Sequence, residues 1–206
     1  VEPKLGRRGA SKLVRDDGNA AARYHDRLQR EALALARLCH PNIVTLFDFG
    51  RTEHGTFVAM EYVRGLNLRR WLRLAPRSVQ EIIRVFSDAG RGLAAAHEAG
   101  LVHRDFKPSN VMVCDDGSVK VLDFGLARWS RRPDLGRPVG GTPAFMAPEQ
   151  RCGQPPDERS DQYSFCASLR ELLHDDESSR RPRVPRSVAT VLARGLQPDP
   201  TDRWPS

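Results

Sequence analysis

The chain is poor in cysteine and in lysine, and it has no long apolar run. Its four cysteines, Cys39, Cys114, Cys152 and Cys166, stand far apart with no Cys-x-x-Cys pair. That excludes a disulfide framework and leaves them as reduced, small hydrophobic residues. No apolar stretch approaches the roughly 18 residues that a membrane-spanning helix needs. Residues 1–4 show no basic segment leading into an apolar one, so neither a secretory leader nor a membrane partner is expected, and the expected location is cytoplasmic. Internal repeats and low-complexity tracts are absent too. With 39% hydrophobic, 29% charged and 7% aromatic residues, the chain is neither a disordered polyelectrolyte nor a membrane bundle. Its 206 residues suffice for one large domain or two small lobes.

Lysine scarcity is the most uneven feature of the composition: of 33 basic residues, 29 are arginine and 4 are lysine. The skew points to a GC-rich, bacterial genome. The net charge is +7 and the pI about 9.7, yet the arginines are interleaved with acids and cluster only at 180–186. No basic face emerges, and no nucleic-acid partner is expected.

Periodicity orders the elements. Tyr24, Leu28, Ala32, Leu35 and Leu38 recur at helical spacing, and His40-Pro41-Asn42 ends that helix. Residues 43–49 and 56–62 are apolar, β-branched and aromatic runs joined by a glycine-containing turn, an antiparallel hairpin. After Gly65 the pattern turns helical over 66–74 and 78–99, the second stretch carrying Gly90 and Gly92, whose missing side chains permit close helix packing. A strand is expected at 119–122 after the Asp115-Asp116-Gly117 turn, helices at 157–173 and 188–196, and a long surface segment at 128–148.

Chemistry concentrates at two places beside that turn. His103-Arg104-Asp105-Phe106-Lys107-Pro108-Ser109-Asn110 precedes one strand, and Asp123-Phe124-Gly125 follows its partner. A carboxylate to orient an attacking hydroxyl, a cation for a γ-phosphate and oxygen ligands for Mg²⁺ are what phosphoryl transfer requires. Alone, Asp105 or Asp123 would read as a turn or capping residue. The complete spaced set does not.

These two runs, with Gly141-Thr142-Pro143-Ala144-Phe145-Met146-Ala147-Pro148-Glu149 after them, resemble the eukaryotic-like (Hanks-type) protein kinases. Lys107, two residues after Asp105, resembles the serine/threonine class, and the wording of 141–150 with Ser160-Asp161-Gln162-Tyr163-Ser164-Phe165 is most similar to bacterial members. The resemblance runs from about Glu31 to Trp204. It implies an α+β, two-lobed protein-kinase-like fold, with a small, incomplete sheet-plus-helix N-lobe at 1–62 and a mainly helical C-lobe at 63–206. It further implies ATP and Mg²⁺ as cofactors and a protein substrate with a Ser or Thr hydroxyl. Asp105 would be the base, Lys107 the phosphate contact, and Asn110 and Asp123 the metal ligands. His103 and Phe124 would belong to the packed spine. Glu61-Tyr62-Val63 matches the adenine-binding hinge, with Met60 as gatekeeper and Met112 as pocket floor, although both methionines also suit simple core filling. Thr142 would hydrogen-bond Asp105, and Glu149 would pair with Arg203. Arg104 resembles members in which it meets a phosphate on the activation segment. Ser130 is the candidate acceptor, or else an ordinary loop serine.

The resemblance has gaps. The Gly-rich phosphate-covering loop has no counterpart, and matching residues 1–4 to the lysine strand makes Lys4 the partner of Glu31. That match places Pro3 in a central strand and 27 residues between the two charges. Gly6-Arg7-Arg8-Gly9 is read as a turn. After Leu173 the docking helix is abbreviated, the closing helix is missing, and Cys166 stands where a small Gly is expected. A truncated or mis-started kinase, with an exposed sheet edge and uncovered apolar surface, is therefore expected. The alternative is a pseudokinase or interaction module that keeps the fold.

Overall fold

The computed structural model describes residues 9–14, 31–52, 55–124, 143–174 and 184–205. Strands β1 (Gly9–Val14), β2 (Leu46–Thr52) and β3 (Gly55–Glu61) form an antiparallel sheet in the order β1-β3-β2. Helix α1, residues 31–37, directs Ala32 and Leu35 into the core shared with Val58 of β3. β1 itself carries a lysine, Lys12, which stands opposite Val58 of β3. Lys4, matched from the sequence to the lysine strand, lies outside the described residues. Gly9, expected in a turn, opens β1.

A second sheet follows, β4 (Gly65–Asn67), β5 (Val111–Cys114) and β6 (Val119–Val121), in that order. Residues 66 and 67, expected as helix, are extended and follow Gly65, which adopts φ 147° and whose Cβ, were there one, would collide with the Val113 carbonyl oxygen. Asn67 then caps α2 (Leu68–Leu74) by accepting the Arg70 N–H. Helix α3 (Val79–Glu98) starts on the Ser78/Glu81 capping box and buries Ile82, Val85, Phe86, Ala89, Leu93 and Ala96, one stripe at helical spacing. Helices α4 (Pro148–Arg151), α5 (Glu158–His174) and α6 (Arg186–Gly195) complete the C-lobe.

The lobes are joined by a strap after α1. Val44 N–H donates to Val121 O at 3.0 Å, Val121 N–H to Asn42 O at 2.9 Å, and the Asn42 amide to Val119 O at 2.9 Å. Gly92 of α3 backs this strap, since a Cβ there would meet Asn42 O at 2.6 Å. Gly90, two positions earlier, would bring its Cβ no closer than 3.5 Å to the Phe165 ring. Cys166, in the expected glycine position, is accommodated because the small residue has moved across the interface: a Cβ on Gly195 would lie 2.3 Å from the Cys166 sulfur. Burial pushes this thiol up to about 11, which keeps it protonated and inert.

Arg203, read from sequence as the partner of Glu149, is 1% exposed. Its guanidinium grips the Glu149 carboxylate with two bonds of 2.8 Å and also donates to the Gln197, Arg159 and Pro198 carbonyls. Burial raises the Glu149 carboxyl, but Arg203 and the Ser160 hydroxyl outweigh it and hold it below its ordinary 4.5.

The two α3 glycines should respond oppositely to alanine. Gly92→Ala should destabilise by about 1–3 kcal/mol because the strap must move, and Gly90→Ala should stabilise by about 0.5–1 kcal/mol through helix propensity. Denaturant melts of both variants check this. Glu149→Ala should cost about 3–5 kcal/mol at neutral pH by leaving a buried guanidinium. A carboxyl held low stabilises above its ordinary 4.5 and loses that contribution as pH falls through the folded value, so the gap to wild type should close below about pH 4.5.

Candidate active site

The loop 103–110 is pinned from beneath. Asp161 of α5 is fully buried, and its carboxylate accepts the backbone N–H of His103 at 2.6 Å and of Arg104 at 2.7 Å, with the His97 ring at 2.9 Å. The sequence reading quoted Asp161 only as part of a run and assigned it no role. A carboxylate beside Ser160 in a helix with a core-facing side was the available cue. Arg104 takes φ 70°, a left-handed conformation that costs a non-glycine residue free energy and is held here by that carboxylate.

His103 has no solvent exposure; its Nε2 lies 2.8 Å from Leu122 O, and its ring packs on Phe124 at 4.7 Å and Phe106 at 5.8 Å. Phe106 meets Phe165 at 5.5 Å, and Phe165 meets Phe86 at 5.2 Å. The expected spine of His103 and Phe124 therefore continues through the C-lobe. Leu122 N–H donates to Asn110 O at 2.8 Å, which sets Asp123 beside the end of the loop.

On this frame Asp105 is 8% exposed, with Lys107 Nζ 2.6 Å from its Oδ2. The Asn110 amide donates to the Asp105 carbonyl at 2.9 Å, leaving its own oxygen as an acceptor. Asp123, at φ 60°, receives Lys12 Nζ at 3.0 Å. The carboxylate and the amide oxygen make a hard-oxygen pair of the kind that holds Mg²⁺ together with water and phosphate. No group of three or more His, Cys, Asp or Glu side chains placed to hold a metal ion occurs among the described residues.

Glu31, expected on Lys4, which lies outside the described residues, is 2.9 Å from Arg104. Arg104, expected to await a phosphate, carries that carboxylate, and its Nε is buried with no hydrogen-bond partner among the described residues. The lysine that reaches Asp123 is Lys12, which lies 19 residues before Glu31. Ala10 two residues before it and Leu13-Val14 after it, with no proline, marked Gly9–Val14 as the better strand. Ser130 and Thr142 lie outside the described residues.

At the cleft's other end, Met60 is partly buried against the core, opposite Ala10 and Leu46, and Met112 pairs across β5 with Asn67 and Lys120. Glu61 N–H is taken by Thr45 O at 2.9 Å. Tyr62 is exposed and Val63 half-buried.

Residues 2–203 match the model of the protein kinase domain. Serine/threonine-protein kinase pkn3 of Myxococcus xanthus is 37% identical over 213 residues, which cover 86% of this chain and 39% of that protein. PknB of Mycobacterium leprae is 35% identical, over 96% of this chain and 32% of its own length. The chain thus spans about a third of the curated relatives it matches. Among solved structures, the Mycobacterium tuberculosis PknI kinase domain superposes with a TM-score of 0.75 at 28% identity, covering 99% of this chain and 82% of that one. A matching family model over nearly all its length and relatives above 30% identity place this chain in the protein kinase family, among the bacterial Hanks-type members.

Proposed function

We propose that this chain transfers the γ-phosphoryl group of Mg·ATP to a serine or threonine hydroxyl of a protein. The observation that carries the reading is the pair of carboxylates at the ends of one β-hairpin. Asp105 is buried against Lys107, and Asp123 faces Lys12.

In this reading Asp105 accepts the proton of the attacking hydroxyl, and Lys107, already on the same carboxylate, meets the γ-phosphate as charge builds on it. Asn110 and Asp123 hold Mg²⁺, which when bound neutralises the phosphate oxygens. Lys12 takes the role first given to Lys4 and contacts the α- and β-phosphates. Because Glu61 N–H is already bonded, adenine is read by the Glu61 carbonyl and the Val63 N–H, between Met60 and Met112. Binding then exchanges partners. Phosphate draws Lys12 from Asp123 and toward Glu31, and Glu31 leaves Arg104 free for a phosphate on the activation segment, with Ser130 as the candidate residue. A non-catalytic module would need none of Asp105, Lys107, Asn110 and Asp123, and no specific observation favours that alternative. The absence of a membrane-length apolar helix among the described residues is compatible with a cytoplasmic protein domain.

Labelled phosphate transfer to a generic acceptor protein checks the reading. Asp105→Asn should lower the rate by about 10²–10⁴-fold with nucleotide affinity retained, and label surviving that change would remove Asp105 as the base. Lys12→Met should weaken Mg·ATP and transfer together. A loss seen with Lys4→Met but not with Lys12→Met would return the nucleotide role to Lys4.

A further inference from the structure

Three lysines lie among the described residues of a chain that otherwise uses arginine almost throughout. Two of them, Lys12 and Lys107, contact the two carboxylates of the phosphoryl-transfer site. The third, Lys120 of β6, is built the same way onto a carboxylate that the reaction does not use. Its Nζ donates to Glu61 Oε1 at 2.7 Å and lies 3.4 Å from Ile43 O. The same Glu61 oxygen accepts the Thr45 N–H at 2.8 Å, and the Glu61 N–H returns to Thr45 O. The side chains of Lys120 and Glu61 are only 18% and 25% exposed, so solvent screens the pair weakly.

The placement gives this pair a lever. Glu61 ends β3 and begins the segment that runs through Tyr62 to Val63, and Lys120 stands three residues before Asp123. The strap between them is already sewn to β6 by the Ile43–Val121 bridge. One ammonium therefore ties the adenine end of the cleft, the strap between the lobes and the strand that leads to the metal-side carboxylate. A compact ammonium can point one proton at a carboxylate and another at a carbonyl, whereas a guanidinium presents a wider, planar fork.

We propose that Lys120 is a positioning residue for the nucleotide: its ion pair with Glu61 latches the adenine-binding segment to the strand that carries Asp123 and fixes the spacing between adenine and metal-bound phosphate. The proposal rests on the phosphoryl-transfer reading of the cleft, and it assigns Lys120 no contact with ATP.

The test uses the whole 206-residue chain, with Mg·ATP and Mg·tripolyphosphate binding by calorimetry and initial rates against a casein acceptor. Lys120→Met should weaken Mg·ATP, and raise its KM, by about fivefold, the effect of losing a partly shielded ion pair. Its kcat should stay within about twofold, and tripolyphosphate, which has no adenine, should bind as before. Glu61→Gln should give the same shift, the double variant no more than either single change, and Lys120→Arg a smaller one. Unchanged ATP affinity in Lys120→Met, additive losses in the double variant, or equal weakening of tripolyphosphate would overturn the latch. Should Lys120→Met not fold, Glu61→Gln and Lys120→Arg make the same comparison. A wild-type chain that binds Mg·ATP without transferring label sinks the catalytic reading while the binding comparison still decides the latch. One that binds no nucleotide sinks both.

Discussion

Everything in the cleft rests on one buried carboxylate. Asp161 has no solvent exposure, and two backbone N–H groups and an imidazole surround its carboxylate. The amides it holds belong to His103 and Arg104, immediately before Asp105. The penalty of burying the charge and the penalty of the left-handed Arg104 are met by the same hydrogen bonds. The fixed loop in turn gives the His103 ring a single orientation between Phe124 and Phe106. Remove the carboxylate and the strain at Arg104 has no counterweight, so the residues of the reaction would lose their common frame.

Above that frame, the charges neutralise one another in pairs. Lys12 lies on Asp123, Lys107 on Asp105, Glu31 on Arg104 and Lys120 on Glu61. Three of these pairs join groups that phosphoryl transfer needs in other combinations. An incoming nucleotide of high negative charge thus competes for cations that are already engaged, and its net gain is the difference between two sets of ion pairs. The fourth pair, at Lys120, joins two groups that face no phosphate in the proposed chemistry and can stay closed throughout.

What the sequence made legible follows from how local each signal was. The run 103–110, Asp123-Phe124, and the Glu149–Arg203 pair could be read because chemistry and family wording sit in contiguous stretches. The two-lobed α+β architecture followed from the change of period near Gly65. Strand Gly9–Val14 was not read from the sequence: Ala10 and Leu13-Val14 are a weak local signal, and its pairing with Gly55–Glu61 lies more than forty residues away. The contact of Glu31 with Arg104 spans 73 positions and has no local trace. Lys120 lay unremarked within the strand expected at 119–122. Cys166 seemed an anomaly until Gly195 was seen against it, a compensation visible only once two helices pack.

The distribution of amines has a practical side. The described lysines all sit on carboxylates, while the basic side chains elsewhere among the described residues are chiefly guanidinium. Acylating reagents and lysine acetylation discriminate sharply between these two cations, since only the amine is a nucleophile at ordinary pH. On most proteins such chemistry scatters over the outer surface. Here, under the proposed function, three of the chain's four lysines would direct it to the nucleotide cleft, a chemical address for that centre.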